Sequence, residues 1–184
     1  MLVMTWNVRG LGNREKRRLV RSLVSKYRPV VFFIQETKLS STDNGVLRSL
    51  GGSLLSTRVW VDDVRSVGGL VTLWDEELFL AKAYISNQRC IILMGELLKF
   101  KKDVVFCNVY TANMESERQE LWEFLEISRN SFTMPWILGG DFNRVLDSSE
   151  RKGGGGNVTS MKNFGSFISK MEVINIPLRG ISFT

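Results

Sequence analysis

Hydrophobic positions along the 184-residue chain fall into short continuous runs broken by turn formers, with helical periodicity in three places. Leu2–Trp6, interrupted only by Thr5, and the unbroken Val30–Ile34 are apolar runs of strand length, the pattern of buried strands. Between them Leu19, Val20, Leu23, Val24 and Tyr27 recur at helical spacing. Asn13 is the candidate N-cap of that helix. Pro29 stops it near Arg28, because the residue before a proline is pushed out of the helical region. From Leu54 to Tyr110 the chain reads as successive strands: Leu54–Trp60, Gly69–Trp74, Leu78–Ile85, Cys90–Leu98 and Val104–Tyr110. Their short connections, at Asp62-Asp63, Asp75-Glu76 and Lys101-Lys102-Asp103, predict antiparallel neighbours. A second helix is predicted from about Glu115 to Arg129, with Leu121, Phe124 and Leu125 on its apolar stripe, and a further strand ends at Gly139. Four glycines at 153–156 predict a flexible loop, and Ser160 caps a third helix bearing Met161, Phe164, Phe167, Ile168 and Met171.

The chain is long enough for one domain with a substantial core and too short for two, and it shows no repeat or linker. Lys and Arg exceed Asp and Glu by 25 to 19, a net charge of +6 that is compatible with a polyanionic partner without demanding one. The two cysteines, Cys90 and Cys107, lie inside apolar runs without metal-ligand spacing. They read as reduced core residues of an intracellular protein, which gives no disulfide-linked partner. No apolar run is long enough to span a bilayer, and no membrane association is expected.

Polar residues directly follow the apolar runs at four places: Trp6-Asn7-Val8-Arg9-Gly10, Gln35-Glu36-Thr37-Lys38, Asn108-Val109-Tyr110 and Gly139-Gly140-Asp141-Phe142-Asn143. Strand ends converge when strands share a sheet, which would gather Asn7, Glu36, Tyr110, Asp141 and Asn143. Period-two alternation points Asp141 and Asn143 the same way if their run is a strand. Glu36 and Asp141 offer hard oxygen donors suited to Mg²⁺ or Mn²⁺, amides can hold water and phosphate oxygens, and the Tyr110 hydroxyl can donate a hydrogen bond to a phosphate. Each segment alone is more commonly a turn or a cap. Gly10-Leu11-Gly12 is not a dinucleotide fingerprint, because Glu15 stands where the third glycine belongs. The cations Arg14, Lys16, Arg17, Arg18 and Arg21 make the first helix basic, as a solvated face or as a DNA contact.

In this order the segments, with Phe183-Thr184 at the end, resemble the endonuclease/exonuclease/phosphatase superfamily. Within it the chain looks most like the apurinic-type endonuclease domain of plant LINE-type retrotransposons. Arg9-Gly10-Leu11-Gly12-Asn13, Gly68-Gly69-Leu70, Ser149-Glu150-Arg151-Lys152-Gly153-Gly154 and Pro177-Leu178-Arg179-Gly180 extend the match over essentially the whole chain. The resemblance implies an α+β or α/β, four-layer sandwich: two packed β-sheets flanked by helices, with the site at one end. It implies Glu36 as the metal ligand, with Asn7 and Asp141 as further candidates. It makes Tyr110 the phosphate contact, Asp141 and Asn143 the pair that orients the attacking water, and Arg9 and Thr184 substrate contacts. It further implies Mg²⁺-dependent nicking of DNA, a reverse transcriptase domain in a full-length polyprotein, and a nuclear location.

Two departures qualify the activity. Arg9 stands where some family branches carry an acid. The family's later aspartate and Ser-Asp-His element would lie beyond Thr184, and the chain contains no histidine. Read as 1–184 of a domain lacking its C-terminal strands, it is expected to be very weak or inactive, with an uncovered sheet edge. The alternatives are a non-catalytic nucleic-acid binder or inert remnant, and a phosphatase of the same superfamily.

Overall fold

The structure is a computed structural model that describes residues 1–64, 68–147 and 158–176. It is an α+β sandwich of two packed, mixed β-sheets with four helices among the described residues. The chain divides into two compact units, Met1–Tyr110 with Met134–Asp141, and Thr111–Thr133 with Phe142–Thr184.

The first unit holds both sheets. The first sheet has the order β1 (Val3–Asn7), β2 (Val31–Gln35), β4 (Leu70–Trp74), β3 (Thr57–Val61). β1 runs parallel to β2, and the other pairs are antiparallel. The second sheet has the order β5 (Phe79–Ser86), β6 (Cys90–Leu97), β7 (Lys102–Tyr110), β8 (Trp136–Asp141). Its one parallel pair is β7 with β8. Each sheet thus carries a parallel pair at one edge, β1 and β8 being the edge strands.

Alternation sorts the strands' side chains between two cores. Val31, Phe33, Leu70, Phe79, Ile91, Leu93 and Phe106 pack between the sheets. Phe79 and Phe106 meet edge to face at a centroid distance of 5.0 Å. Phe32, Ile34, Val71 and Leu73 face outward and pack with Val20 and Val24 of α1 (Arg14–Tyr27) and with Leu47 of α2 (Asn44–Ser49). Asn13 caps α1 as expected, its side chain accepting from the Glu15 N–H, and Arg28 closes the helix in the left-handed conformation. Both cysteines are free and buried.

In the second unit α3 (Glu115–Ser131) and α4 (Val158–Lys170) share an aromatic cluster, with Trp122 stacked on Phe164 and Phe167. Buried Arg118 donates to the carbonyls of Ala112 and Asn113 and to Glu115. Glu115 also accepts from Arg144, Ser160 and Asn163. The Arg118 hydrogen bond is the main reason that the Glu115 carboxyl lies at about 2.

Three expectations need correction. Asp75-Glu76 is not a hairpin: it carries the chain from β4 in one sheet to β5 in the other, so these strands are not neighbours. Leu19 and Tyr27, assigned to the apolar stripe of α1, are each 48% exposed, because Val20 and Val24 alone meet the core squarely. Leu54 and Leu55 precede β3, where Leu55 N bonds back to the Gly51 carbonyl in a turn. α2 was not anticipated, being six residues long and largely polar. The glycine loop at 153–156 lies outside the described residues.

Two glycines give opposite expectations. A Cβ on Gly140 would lie 1.9 Å from the Val109 carbonyl oxygen at a φ of +148°, so Gly140→Ala is expected to destabilise by about 3 kcal/mol or more. Gly165, inside α4, has open space, so Gly165→Ala is expected to stabilise by about 0.5–1 kcal/mol. Urea unfolding of both variants checks the pair, and loss of stability in Gly165→Ala or none in Gly140→Ala contradicts the backbone assignment.

Candidate active site

The inward-facing row of the sandwich changes character toward one end. Phe33 gives way to Gln35 on β2, Phe106 to Asn108 and then Tyr110 on β7, and Ile137 to Gly139 and then Asp141 on β8. On β1, Thr5 and Asn7 occupy the corresponding positions. The result is a polar layer of Thr5, Gln35, Thr72 and Asn108, followed by a cluster of Asn7, Glu36, Tyr110 and Asp141.

Asn7 is the centre of that cluster. Its Nδ2 donates to Glu36 Oε1 at 2.7 Å and to Asp141 Oδ2 at 2.8 Å, and its Oδ1 accepts from the Arg9 backbone N–H at 3.1 Å. A backbone N–H can only donate, so the amide orientation is determined by its partners: oxygen to Arg9, nitrogen to the carboxylates. One side chain therefore joins carboxylates from the two sheets.

Glu36 is presented by strained backbone. Arg9, Glu36 and Lys38 all have left-handed φ values, of 48°, 51° and 53°. The segment 36–38 is clamped from both sides by backbone hydrogen bonds. Gly10 N and Leu11 N donate to the carbonyls of Glu36 and Thr37, while Thr37 N and Lys38 N donate to those of Gly69 and Gly68. Gly68, at φ +106°, passes so close that a Cβ there would lie 3.0 Å from Tyr110 Cε1 and 3.3 Å from Glu36 Cγ. Its role as a wall of the site was not read from the sequence, although the Gly68-Gly69 pair was the available signal.

Tyr110 is pushed up to about 12, first by burial, then by the charge and hydrogen bond of Glu36 and the charge of Asp141, with Arg89 opposing. It is therefore a neutral phenol, a proton donor, across the physiological range. Arg89, whose carbonyl accepts from Tyr110 N, is a further neighbour that the sequence did not single out.

The period-two argument for Asp141 and Asn143 holds only to Asp141, the last residue of β8. Asn143 has a left-handed φ of 49° and belongs to the second unit, where its Nδ2 donates to the Thr111 carbonyl at 2.8 Å. Arg9 is exposed at the edge of the first unit's cluster, and Thr184 lies outside the described residues. The basic face of α1 is partly internal scaffolding. Lys16 Nζ donates to the carbonyls of Val8 and Arg9, and Arg17 to those of Leu11 and Gly12, while Arg14 and Arg18 are exposed.

Glu36 and Asp141 supply hard oxygen donors. Among the described residues no three His, Cys, Asp or Glu side chains gather. A small hard cation that keeps most of its waters needs only one or two carboxylates, so the donor set fits Mg²⁺ or Mn²⁺.

A two-sheet sandwich with carboxylates, an amide and a phenol gathered at the strand ends defines a class of phosphoester-cleaving folds. Residues 4–161 match the model of the Endonuclease/Exonuclease/phosphatase family, and the chain belongs to that family. Among solved structures it is similar to the AP endonuclease LMAP from Leishmania major, at 19% identity and TM-score 0.69 over 91% of this chain. A humanized TDP2 from D. rerio gives 15% identity and TM-score 0.61, covering 89% of this chain and 69% of that one. A mannosyl-6-phosphatase from Bacteroides thetaiotaomicron gives 16% and 0.56, covering 78% of this chain and 66% of that one. The chain spans 65% of the length of LMAP. No curated protein matches.

Because the Tyr110 pKa is raised on folding, its contribution to stability is complete below the ordinary value of 10.0 and is lost as pH rises through about 12. In a Tyr27→Phe, Tyr84→Phe protein, absorbance titration reads Tyr110 alone. The expected midpoint is near 12, falling when Glu36 becomes Gln. A midpoint at the ordinary value contradicts the described contact.

Proposed function

We propose that this chain is a metal-dependent phosphodiesterase that nicks DNA, of the apurinic-type endonuclease kind found in plant LINE-type retrotransposons. The observation that carries the reading is the Asn7 amide joining Glu36 and Asp141, with the neutral Tyr110 phenol beside them. The family match and the fold likeness to an AP endonuclease support it, as does the likeness at TM-score 0.56 to a D. rerio TDP2 solved with a single-strand DNA product. The net charge of +6 suits a polyanion.

In this reading Glu36 and Asp141 would hold Mg²⁺, or Mn²⁺, which would supply positive charge to offset that on the phosphoryl oxygens. Asn7 keeps the two carboxylates oriented. Tyr110 donates its phenolic proton as a hydrogen bond to a non-bridging phosphate oxygen. Asp141 orients the attacking water and accepts its proton as the phosphorus–oxygen ester bond breaks, the leaving oxygen taking a proton from solvent water. Arg9, exposed at the edge of the cluster, contacts the substrate. A fused reverse transcriptase domain would use the nick as a primer.

Residues 1–184 supply no imidazole acid–base group to the site. Nicking is therefore expected to be slow, by about 10²–10⁴-fold relative to a site that has one. The test is supercoiled plasmid with the purified chain and Mg²⁺. Slow nicking that stops with chelator and in Asp141→Ala is expected. Binding to DNA that Glu36→Ala leaves intact, with no cleavage, would favour a non-catalytic binder, and absence of binding at low salt an inert remnant. Turnover of a soluble phosphoester with none on DNA would favour the phosphatase reading, and robust wild-type nicking would overturn the expected low rate.

A further inference from the structure

Asn108 is fully buried at the end of the apolar core, on β7 of the second sheet, and its side chain bonds to Gln35, Ile34, Val71 and Thr72 of the first. Its Oδ1 accepts from Gln35 Nε2 at 2.7 Å. Its Nδ2 donates to the Val71 carbonyl at 3.0 Å, to Thr72 Oγ1 at 3.2 Å and, at 3.4 Å, to the Ile34 carbonyl. Gln35 and Thr72 are buried to within 1% of full burial, and Gln35 Nε2 also donates to Thr5 Oγ1 at 3.2 Å. Apolar contacts between the sheets are non-directional and tolerate small slides. A buried amide with acceptor and donors all committed does not, because any slide leaves buried polar groups unpaired.

The position of this network matters more than its strength. Gln35 immediately precedes Glu36, and Asn108 lies two residues before Tyr110 on the same face of β7. Gly139, two residues before Asp141, has no room for a side chain: a Cβ there would lie 2.8 Å from the Phe33 ring. The carboxylate from one sheet and the phenol and carboxylate from the other therefore stand one step above a polar layer that locks the two sheets.

We infer that Asn108, with Gln35, is a positioning residue for phosphodiester cleavage: it sets the register between the sheets, so that Glu36 meets Tyr110 and Asp141 around Asn7. The inference rests on the functional reading above for its catalytic consequence, but its structural content stands apart from it. It assigns a role to two buried polar residues that touch neither metal nor substrate.

The test uses the full chain with Asn108→Leu, which replaces both polar side-chain atoms by methyls on the same branched frame, and Gln35→Met, a milder change that leaves Asn108 its acceptors on the first sheet. Thermal unfolding establishes which variants fold. In the folded variants, the side-chain amide protons of Asn7, each held on a carboxylate, are followed by ¹⁵N-edited NMR without metal. Plasmid nicking supplies kcat and KM.

Positioning predicts that the Asn7 signals shift and lose exchange protection, and that kcat falls by about 10²-fold with KM little changed. A merely structural role lowers the unfolding temperature, yet leaves the Asn7 signals and kcat at wild-type values in the folded protein, and that result overturns the inference. If Asn108→Leu does not fold, Gln35→Met decides on the same readouts. If the wild-type chain does not nick DNA, the functional reading fails, while the Asn7 signals still decide whether the network sets the register.

Discussion

The site depends on how two separate sheets are held in register at one end. Asn108 from the second sheet is bonded to Gln35, Thr72 and two backbone carbonyls of the first, and all three side chains are buried. An apolar sandwich alone would hold the sheets together without specifying their offset. Directional bonds in a low-dielectric layer specify it. Above that layer Asn7 repeats the connection in a more exposed setting, joining Glu36 from the loop after β2 to Asp141 at the end of β8. The glycines serve the same purpose. Gly139 admits the Phe33 ring, and Gly68 lets the backbone pass against Tyr110 and Glu36.

Much of this was legible in the linear pattern. Apolar runs located the strands to within a few residues, Asn13 marked the first cap, and the polar residues after the runs at 7, 36, 110 and 141 are those found clustered. Strand alternation explains that success: a strand's inward row is readable from one element at a time. What failed required pairing information. Asp75-Glu76 looks like a hairpin turn locally, and only the partner strands reveal that it changes sheet. The alternation argument stops short of Asn143 for a related reason, since β8 ends at Asp141 and the left-handed turn at Asn143 leaves no periodic trace. Asn108 and Gln35 were visible as polar residues inside apolar runs, but their mutual bond spans 73 residues of sequence.

The backbone at the site departs from ordinary geometry more than elsewhere in the first unit. Arg9, Glu36 and Lys38 all adopt left-handed φ values and are held there by reciprocal backbone bonds from the loops at 8–11 and 68–69. Such conformations cost of order 1–3 kcal/mol each and persist only where the surroundings over-determine them. Basic residues of α1 contribute to that scaffold, with Lys16 and Arg17 bonding the carbonyls of residues 8–12. The positive charge of the helix is therefore divided between holding the loop and facing outward at Arg14 and Arg18.

The most direct test of the account is whether the Asn7-joined carboxylates bind a divalent cation. Mn²⁺ titration followed by electron paramagnetic resonance, on the wild-type chain, Glu36→Gln and Asp141→Asn, answers this without reference to turnover. The account predicts saturable binding by the wild type that weakens at least about tenfold in each variant. Equal binding by all three proteins, or none by the wild type at millimolar Mn²⁺, would contradict it.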